Sequence, residues 1–256
     1  MPVIVKCLDE AGAAVMRHYG ALESIEKKGR SNLVTVADHE SEACIKRILS
    51  EAFPSHQILA EESGADYEGK GDECRWVIDP LDGTTNFSHT MPLFCVSIGV
   101  ERKGRIVAAG VDNPYYRERF LAECGAGATF NGRPIHVSEP DRLADSLVVT
   151  GFPYDRIERF PHYMSFWIEM LPRVHGILRM GSAALDMCAV ACGRLEAFWQ
   201  ENLHPWDTAA GWLIVEEAGG WVTDYHGNPF SIYGSQTLAT NGKIHNECVE
   251  VLGKLV

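Results

Sequence analysis

Five carboxylates stand where apolar runs begin or end: Glu61 and Glu62 after QILA, Asp79 and Asp82 inside WVIDPLDGTTNF, and Asp207 ahead of TAAGWLIVEEAGG. An apolar strand delivers Asp79, Pro80 fixes one backbone angle and Gly83 permits a sharp turn, so Asp79 and Asp82 are expected to converge. The Leu81 carbonyl between them adds a third oxygen. Oxygen-only ligation suits a hard cation, above all Mg²⁺, which accepts a few protein ligands and keeps several waters. Past Gly83, the residues TTNF are expected to open a short helix, whose free N–H groups make an anion site beside the cation site. Each acid also has a plainer account. Asp-Pro-Leu-Asp-Gly is turn-favouring composition, Glu61-Glu62 can be a solvated strand end, and Asp207 suits the first turn of any helix. The residues alone leave both accounts open.

The elements that must position these groups follow from the apolar pattern. Ile4, Cys7, Leu8, Ala11, Ala14 and Val15 recur at helical spacing, and Gly20 closes that first helix. A polar loop follows, in which Lys27, Lys28 and Arg30 flank Gly29; it reads as a solvated basic loop or as a flap over an anionic substrate. LVTVADHESEACIKRILSEAFP enters a second helix from a strand-like start, with Asp38 expected as its N-cap. Short strands are expected at Gln57 to Ala60 and Arg75 to Ile78, and then β-rich segments from Leu93 to Val137, with hairpin signals at Lys103-Gly104 and Asn131-Gly132. From there the chain alternates: helix near Phe160 to Leu171, strand Ile177 to Met180, helix SAALDMCAVACG, strand RLEAFWQ, helix WDTAAGWLIVEEA stopped by Gly219-Gly220, and a last strand before TLATNG. The class is α/β, one body of sheets covered by helices, with two halves divided near residues 140 to 150.

Composition bounds the function. No apolar run reaches the ~18 residues of a membrane helix, and Lys6, Asp9 and Glu10 interrupt what a signal peptide would need, so a cytoplasmic location is expected. A net charge of −12 opposes a direct grip on nucleic acid. The eight scattered cysteines carry no zinc spacing and read as reduced core residues. His89, His204, His226, Tyr115-Tyr116 and Trp206 read as structural or packing residues.

AEES, WVIDPLDGTTNF and PWDTAAGWLIVEEAGG, in this order, together with LVTVAD and GSAALD, resemble the signature segments of the inositol monophosphatase family over nearly the whole chain. The resemblance implies a layered αβαβα sandwich, a Mg²⁺-dependent phosphomonoesterase with two or three ions, lithium sensitivity and a homodimer. It implies that Glu61, Asp79, the Leu81 carbonyl and Asp82 hold metal, that Asp82 and Asp207 share a second ion, and that Glu62 lines a weaker third site. Thr84 and Asp38 would position and deprotonate the attacking water, while Gly83, Thr84 and Thr85 hold the phosphate. Ser182, Ala183, Gln200 and Asp207 fall on the family's substrate side. DGTTNF and GSAALD favour an inositol or polyol monophosphate over the fructose bisphosphate and adenosine bisphosphate branches of the superfamily. Gln200 departs from the glutamate common at its position, and one charge-assisted hydrogen bond is worth about 1.5–3 kcal/mol. Some bacterial members of the family also bind transcription machinery, so an interaction role stands as the alternative.

Overall fold

The computed structural model describes residues 1–21, 26–27, 33–66 and 74–256. The basic loop of Lys27, Lys28 and Arg30 lies outside them, apart from the backbone of one residue pair. Helical spacing becomes burial in α1 (Pro2–His18), whose Ile4, Cys7, Leu8, Ala11 and Val15 are fully covered. After the paired β1 (Glu26–Lys27) and β2 (Leu33–Val34) comes α2 (Val36–Ala52). Its N-cap is Thr35 and not Asp38: the Thr35 hydroxyl accepts from Ala37 N–H while the Asp38 carboxylate accepts the Thr35 N–H at 2.8 Å, a capping box.

Eight further strands form one sheet: β3 (Gln57–Ala60), β4 (Gly64–Asp66), β5 (Cys74–Asp82), β6 (Cys95–Arg102), β7 (Arg105–Asn113), β8 (Glu118–Glu123), β9 (Gly127–Phe130) and β10 (Arg133–Pro134). Their spatial order is β10-β9-β8-β7-β6-β5-β3-β4, antiparallel except for the β3–β5 pair. The short helix α3 (Thr84–Ser88) follows β5 directly. Lys103-Gly104 and Asn131-Gly132 make the expected tight turns, with positive φ at all four residues.

The second sheet holds β11 (Leu147–Thr150), β12 (Gly176–Leu178), β13 (Ala197–Glu201), β14 (Trp221–Thr223) and β15 (Gln236–Thr240) in the order β12-β11-β13-β15-β14. β12, β11 and β13 run parallel. Between these strands come α4 (Phe160–Met170), α5 (Ala183–Ala191) and α6 (Pro205–Glu217), and α7 (His245–Leu252) ends the series. α1 and α2 cover the outer face of the large sheet, α5 and α6 fill the space between sheets, and α4 and α7 cover the far face of the small one. The layering is therefore αβαβα. No helix among the described residues is long and apolar enough to cross a membrane.

Three local readings change. β5 does not stop at Ile78 but runs through both acids to Asp82, because β6 continues to pair with it. β15 runs through TLAT, since that segment pairs with β13 and β14 on its two sides. Cys124 is exposed and so is no core residue, while all eight cysteines are free.

Candidate active site

In a regular strand, residues three apart face opposite ways. β5 evades that rule through a bulge. Asp79 pairs with Ser97 and Asp82 with Cys95, so the three steps on β5 oppose two on β6, and the extra residue resets the alternation. Pro80 has no N–H to offer at that point, and the Leu81 N–H turns to the Asp79 Oδ1 at 3.0 Å. Both carboxylates thereby reach one place, joined by Asp207, the third residue of α6, whose carboxylate accepts the His204 N–H at 2.7 Å. One carboxylate oxygen from each of Asp79, Asp82 and Asp207 lies within 4.8 Å of the other two. Glu61 follows β3, held beside β5 by its N–H to the Ile78 carbonyl at 3.3 Å, and lines the same cavity of about 130 Å³.

The cluster is electrostatically costly. Burial pushes the Asp79 carboxyl well above the usual range, and the charges of Glu61, Asp82 and Asp207 push it further. Burial and then the Asp82 charge raise Asp207 to about 7. Asp82 is also raised by burial, although it accepts Ser182 Oγ at 2.6 Å and the Ala184 N–H at 2.8 Å from the start of α5.

Beside the cluster, the Thr84 hydroxyl lies 3.1 Å from Asp38 Oδ1 and 3.0 Å from the Leu81 carbonyl. Burial is the main cause that lifts Asp38 to about 6; the Glu62 charge adds to it, and hydrogen bonds from Thr35 and Thr84 oppose it. Glu62 itself is not on the cavity wall. Its N–H is held by Glu42 at 3.0 Å, on the α2 side. Gly83 sits at φ 91°, and a Cβ there would stand 2.8 Å from the Leu93 carbonyl, so the entry to α3 admits no side chain. The Asn86 amide then ties α3 to the Leu93 and Met180 carbonyls, both at 2.7 Å.

Ser182, Ala183 and Gln200 line the cavity with Gly83, Thr84 and Thr85. Gln200 lies so close over Gly151 that a Cβ on the glycine would be 1.8 Å from its Oε1. Glu201, the next residue of β13, is buried and meets His162 Nε2 at 2.6 Å. Strand alternation thus turns Glu201 away from the cavity, and it cannot stand in for a glutamate at position 200. His204 caps α6 and stacks on Trp206 with ring centroids 4.9 Å apart, but it is also on the cavity wall. His89, His226, Tyr115 and Tyr116 are not on that wall. Tyr154, Arg156, Arg179 and Asn202 are also on it; the strand expected over Ile177 to Met180 ends at Leu178, so Arg179 lies in a loop, as the other three do.

Hard oxygens at this separation, on carboxyls whose pKa values are raised first by burial and then by one another's charge, are the donor set that divalent cations relieve. Comparison with known proteins agrees. Residues 2–255 match the sequence profile of the Inositol monophosphatase family. The chain is 45% identical over 243 residues to an inositol-1-monophosphatase of Synechocystis sp., covering 94% of this chain and 84% of that one. It is 39% identical to the Nus factor SuhB of Pseudomonas aeruginosa, with 94% and 91% covered. The crystal structure of the extragenic suppressor protein suhB from Bartonella henselae superposes with a TM-score of 0.95 at 40% identity, over 100% of this chain and 99% of that one.

Proposed function

The chain belongs to the inositol monophosphatase family, and we propose that it is a Mg²⁺-dependent phosphomonoesterase acting on inositol monophosphate or a related polyol phosphate. The observation that carries this reading is the meeting of Asp79, Asp82 and Asp207 in one cavity. Glu61, Asp79, the Leu81 carbonyl, Asp82 and Asp207 would hold two ions, and Glu62 would act on a third only through its charge. Bound there, the ions supply charge neutralisation for the phosphate and the departing alkoxide and ease the ionisation of water.

This chain's own residues do the rest. The backbone N–H groups of Gly83, Thr84 and Thr85 hold phosphate oxygens without reorganisation. Thr84 orients the attacking water through its hydroxyl, and Asp38, 3.1 Å behind it, takes up the proton. With a pKa of about 6, Asp38 is mostly ionised near neutral pH and still basic enough to accept it. Ser182 fixes Asp82 by its 2.6 Å hydrogen bond. Gln200, Asp207 and the backbone at Ala183 receive hydroxyls of the alcohol. No covalent link to the enzyme is required.

Phosphate release from inositol 1-phosphate, with and without Mg²⁺, tests this. Release that requires the cation is expected, and no release from any sugar, polyol or nucleotide ester at any Mg²⁺ level would overturn it. Family likeness adds lithium inhibition and a homodimer to the reading, and the charge pattern of the sequence adds a cytoplasmic location. The dimer is supported by α4 and the residue after it, which expose Phe160, Ile168 and Leu171 at 59%, 63% and 49% along one side while Tyr163, Phe166 and Met170 are buried on the other. A second role at the transcription machinery is favoured by one observation, the 39% identity to a relative named Nus factor SuhB.

A further inference from the structure

The loop that leaves β11 runs from Gly151 to Arg159, and two of its residues, Tyr154 and Arg156, stand on the cavity wall. Little apolar burial holds this loop in place, since Tyr154 and Ile157 are 51% and 50% exposed. Phe152 stacks on Trp167 of α4 at its start. Further along, among the described residues, Asp155 makes the side-chain hydrogen bond that ties the loop to α4: the Tyr163 hydroxyl donates to Asp155 Oδ1 at 2.7 Å. The Tyr163 oxygen also accepts Asn202 Nδ2 at 3.1 Å and, more weakly, Arg159 Nη1 at 3.4 Å. A phenol has one proton to give and two lone pairs to offer, and here each has a partner.

A buried tyrosine is satisfied by a single partner, so what matters is where the three of them lie. Asp155 sits between Tyr154 and Arg156, Arg159 precedes α4, and Asn202 begins the turn after β13. Asn202 holds φ 54°, gives its N–H to the Ser235 carbonyl at 2.7 Å and leads into Leu203 and His204, which line the cavity with it. His162, one residue before Tyr163, meets Glu201 at 2.6 Å, so α4 grips two consecutive residues at the end of β13. Tyr163 itself is buried and is not on the cavity wall.

We propose that Tyr163 is a positioning residue: its hydroxyl fastens the Tyr154–Arg156 loop to the Asn202–His204 turn and so fixes the wall that receives the alcohol part of the substrate. The inference rests on the phosphomonoesterase reading and adds to it a residue that works at a distance from the reacting atoms. The phosphate falls to Gly83, Thr84 and Thr85 at the start of α3, which make no bond to Tyr163. Loosening the wall therefore weakens the hold on the alcohol and spares the chemical step.

Tyr163→Phe keeps the ring in the core and deletes the hydroxyl. For inositol 1-phosphate, or the related polyol ester that the native protein hydrolyses fastest, KM should rise about three- to tenfold with kcat little changed, the scale of one or two lost hydrogen bonds. Inhibition by inorganic phosphate, which has no alcohol part, should not move. A partly misfolded sample lowers kcat and leaves KM alone, so it cannot imitate this result. Asp155→Asn keeps an acceptor for the phenol and should behave as the native protein does. Asp155→Ala should raise KM, and the Tyr163→Phe/Asp155→Ala double variant should be no worse than Tyr163→Phe alone, because the two changes delete the same bond. An unchanged KM in Tyr163→Phe, a fall in kcat with weakened phosphate inhibition, or additive losses in the double variant would overturn the inference. Any of these in a native protein that hydrolyses the ester sinks the Tyr163 role alone, whereas native protein silent on every ester sinks the phosphatase reading and this one with it.

Discussion

At the scale of single residues, the acids of the cavity do opposite things to activity and to stability. Asp82→Asn keeps an acceptor for Ser182 and Ala184 but removes one of the charges that repel across the cluster. Turnover should fall by at least ~100-fold, as expected when a residue at a metal site is replaced, while the melting temperature of the cation-free protein rises. Kinetics and thermal unfolding in a chelator read the two effects separately, and a lower melting temperature would mean that Asp82 mainly supports the fold. Thr84→Val deletes the hydroxyl that bridges Asp38 and the Leu81 carbonyl. A loss of about 10²–10⁴ in kcat is expected, with KM little changed and Thr84→Ser largely active. If the valine variant instead raised KM alone, Thr84 would be a substrate contact and not part of the proton path.

Elements decide which of these residues can meet. The β5 bulge aims Asp79 and Asp82 together, and the left-handed Gly83 starts α3 beneath the Leu93 carbonyl. Gly83→Ala combines a disfavoured φ of 91° with a 2.8 Å clash against backbone, so about 1–3 kcal/mol of stability should go, measurable by denaturant unfolding, together with most of the activity. The acids were legible in the sequence because each adjoins an apolar run: Asp207 opens a helix pattern, Glu61 follows QILA and Asp79 follows WVI. The bulge was not legible. One extra residue leaves no mark in apolar alternation when both faces of β5 are buried, and hence the strand was expected to end at Ile78. Thr35 as the true cap of α2 was obscured by Asp38, whose side chain makes the reciprocal bond of the same motif. Arg156 and Arg179 were invisible for another reason: only the parallel pairing of β11 with β12, which spans the whole of α4, sets their loops together. Gln200 was picked out by resemblance, but strand alternation alone would have separated it from Glu201.

For the whole molecule, the clustered carboxyls couple folding to pH and to cations. Asp38 and Asp207 are raised from 3.8 to about 6 and about 7, and Asp79 lies higher than usual as well. Between those values the folded chain holds protons that the unfolded chain has released. Without cations, stability should therefore fall as pH rises through that window. Dications displace the same protons, so the stabilisation they confer should grow with pH; melting curves in chelator and in Mg²⁺, at about pH 5 and about pH 8, check both signs. A pH-independent difference between the two curves would contradict a carboxylate-bound ion. The exposed side of α4 makes a further prediction. If two copies meet there, Ile168→Glu should shift the protein toward monomer in sedimentation, while a native protein that already sediments as a monomer would remove that face from the dimer reading.

The large sheet has placed its last strand by Pro134 and the small one begins at Leu147. Asp79 and Asp82 belong to the first part and Asp207 to the second, so a polypeptide severed in that interval would leave each fragment with an incomplete set of oxygens. Catalysis by such fragments would then return only when they reassociate, which makes phosphate release a direct gauge of whether the two sheets have docked.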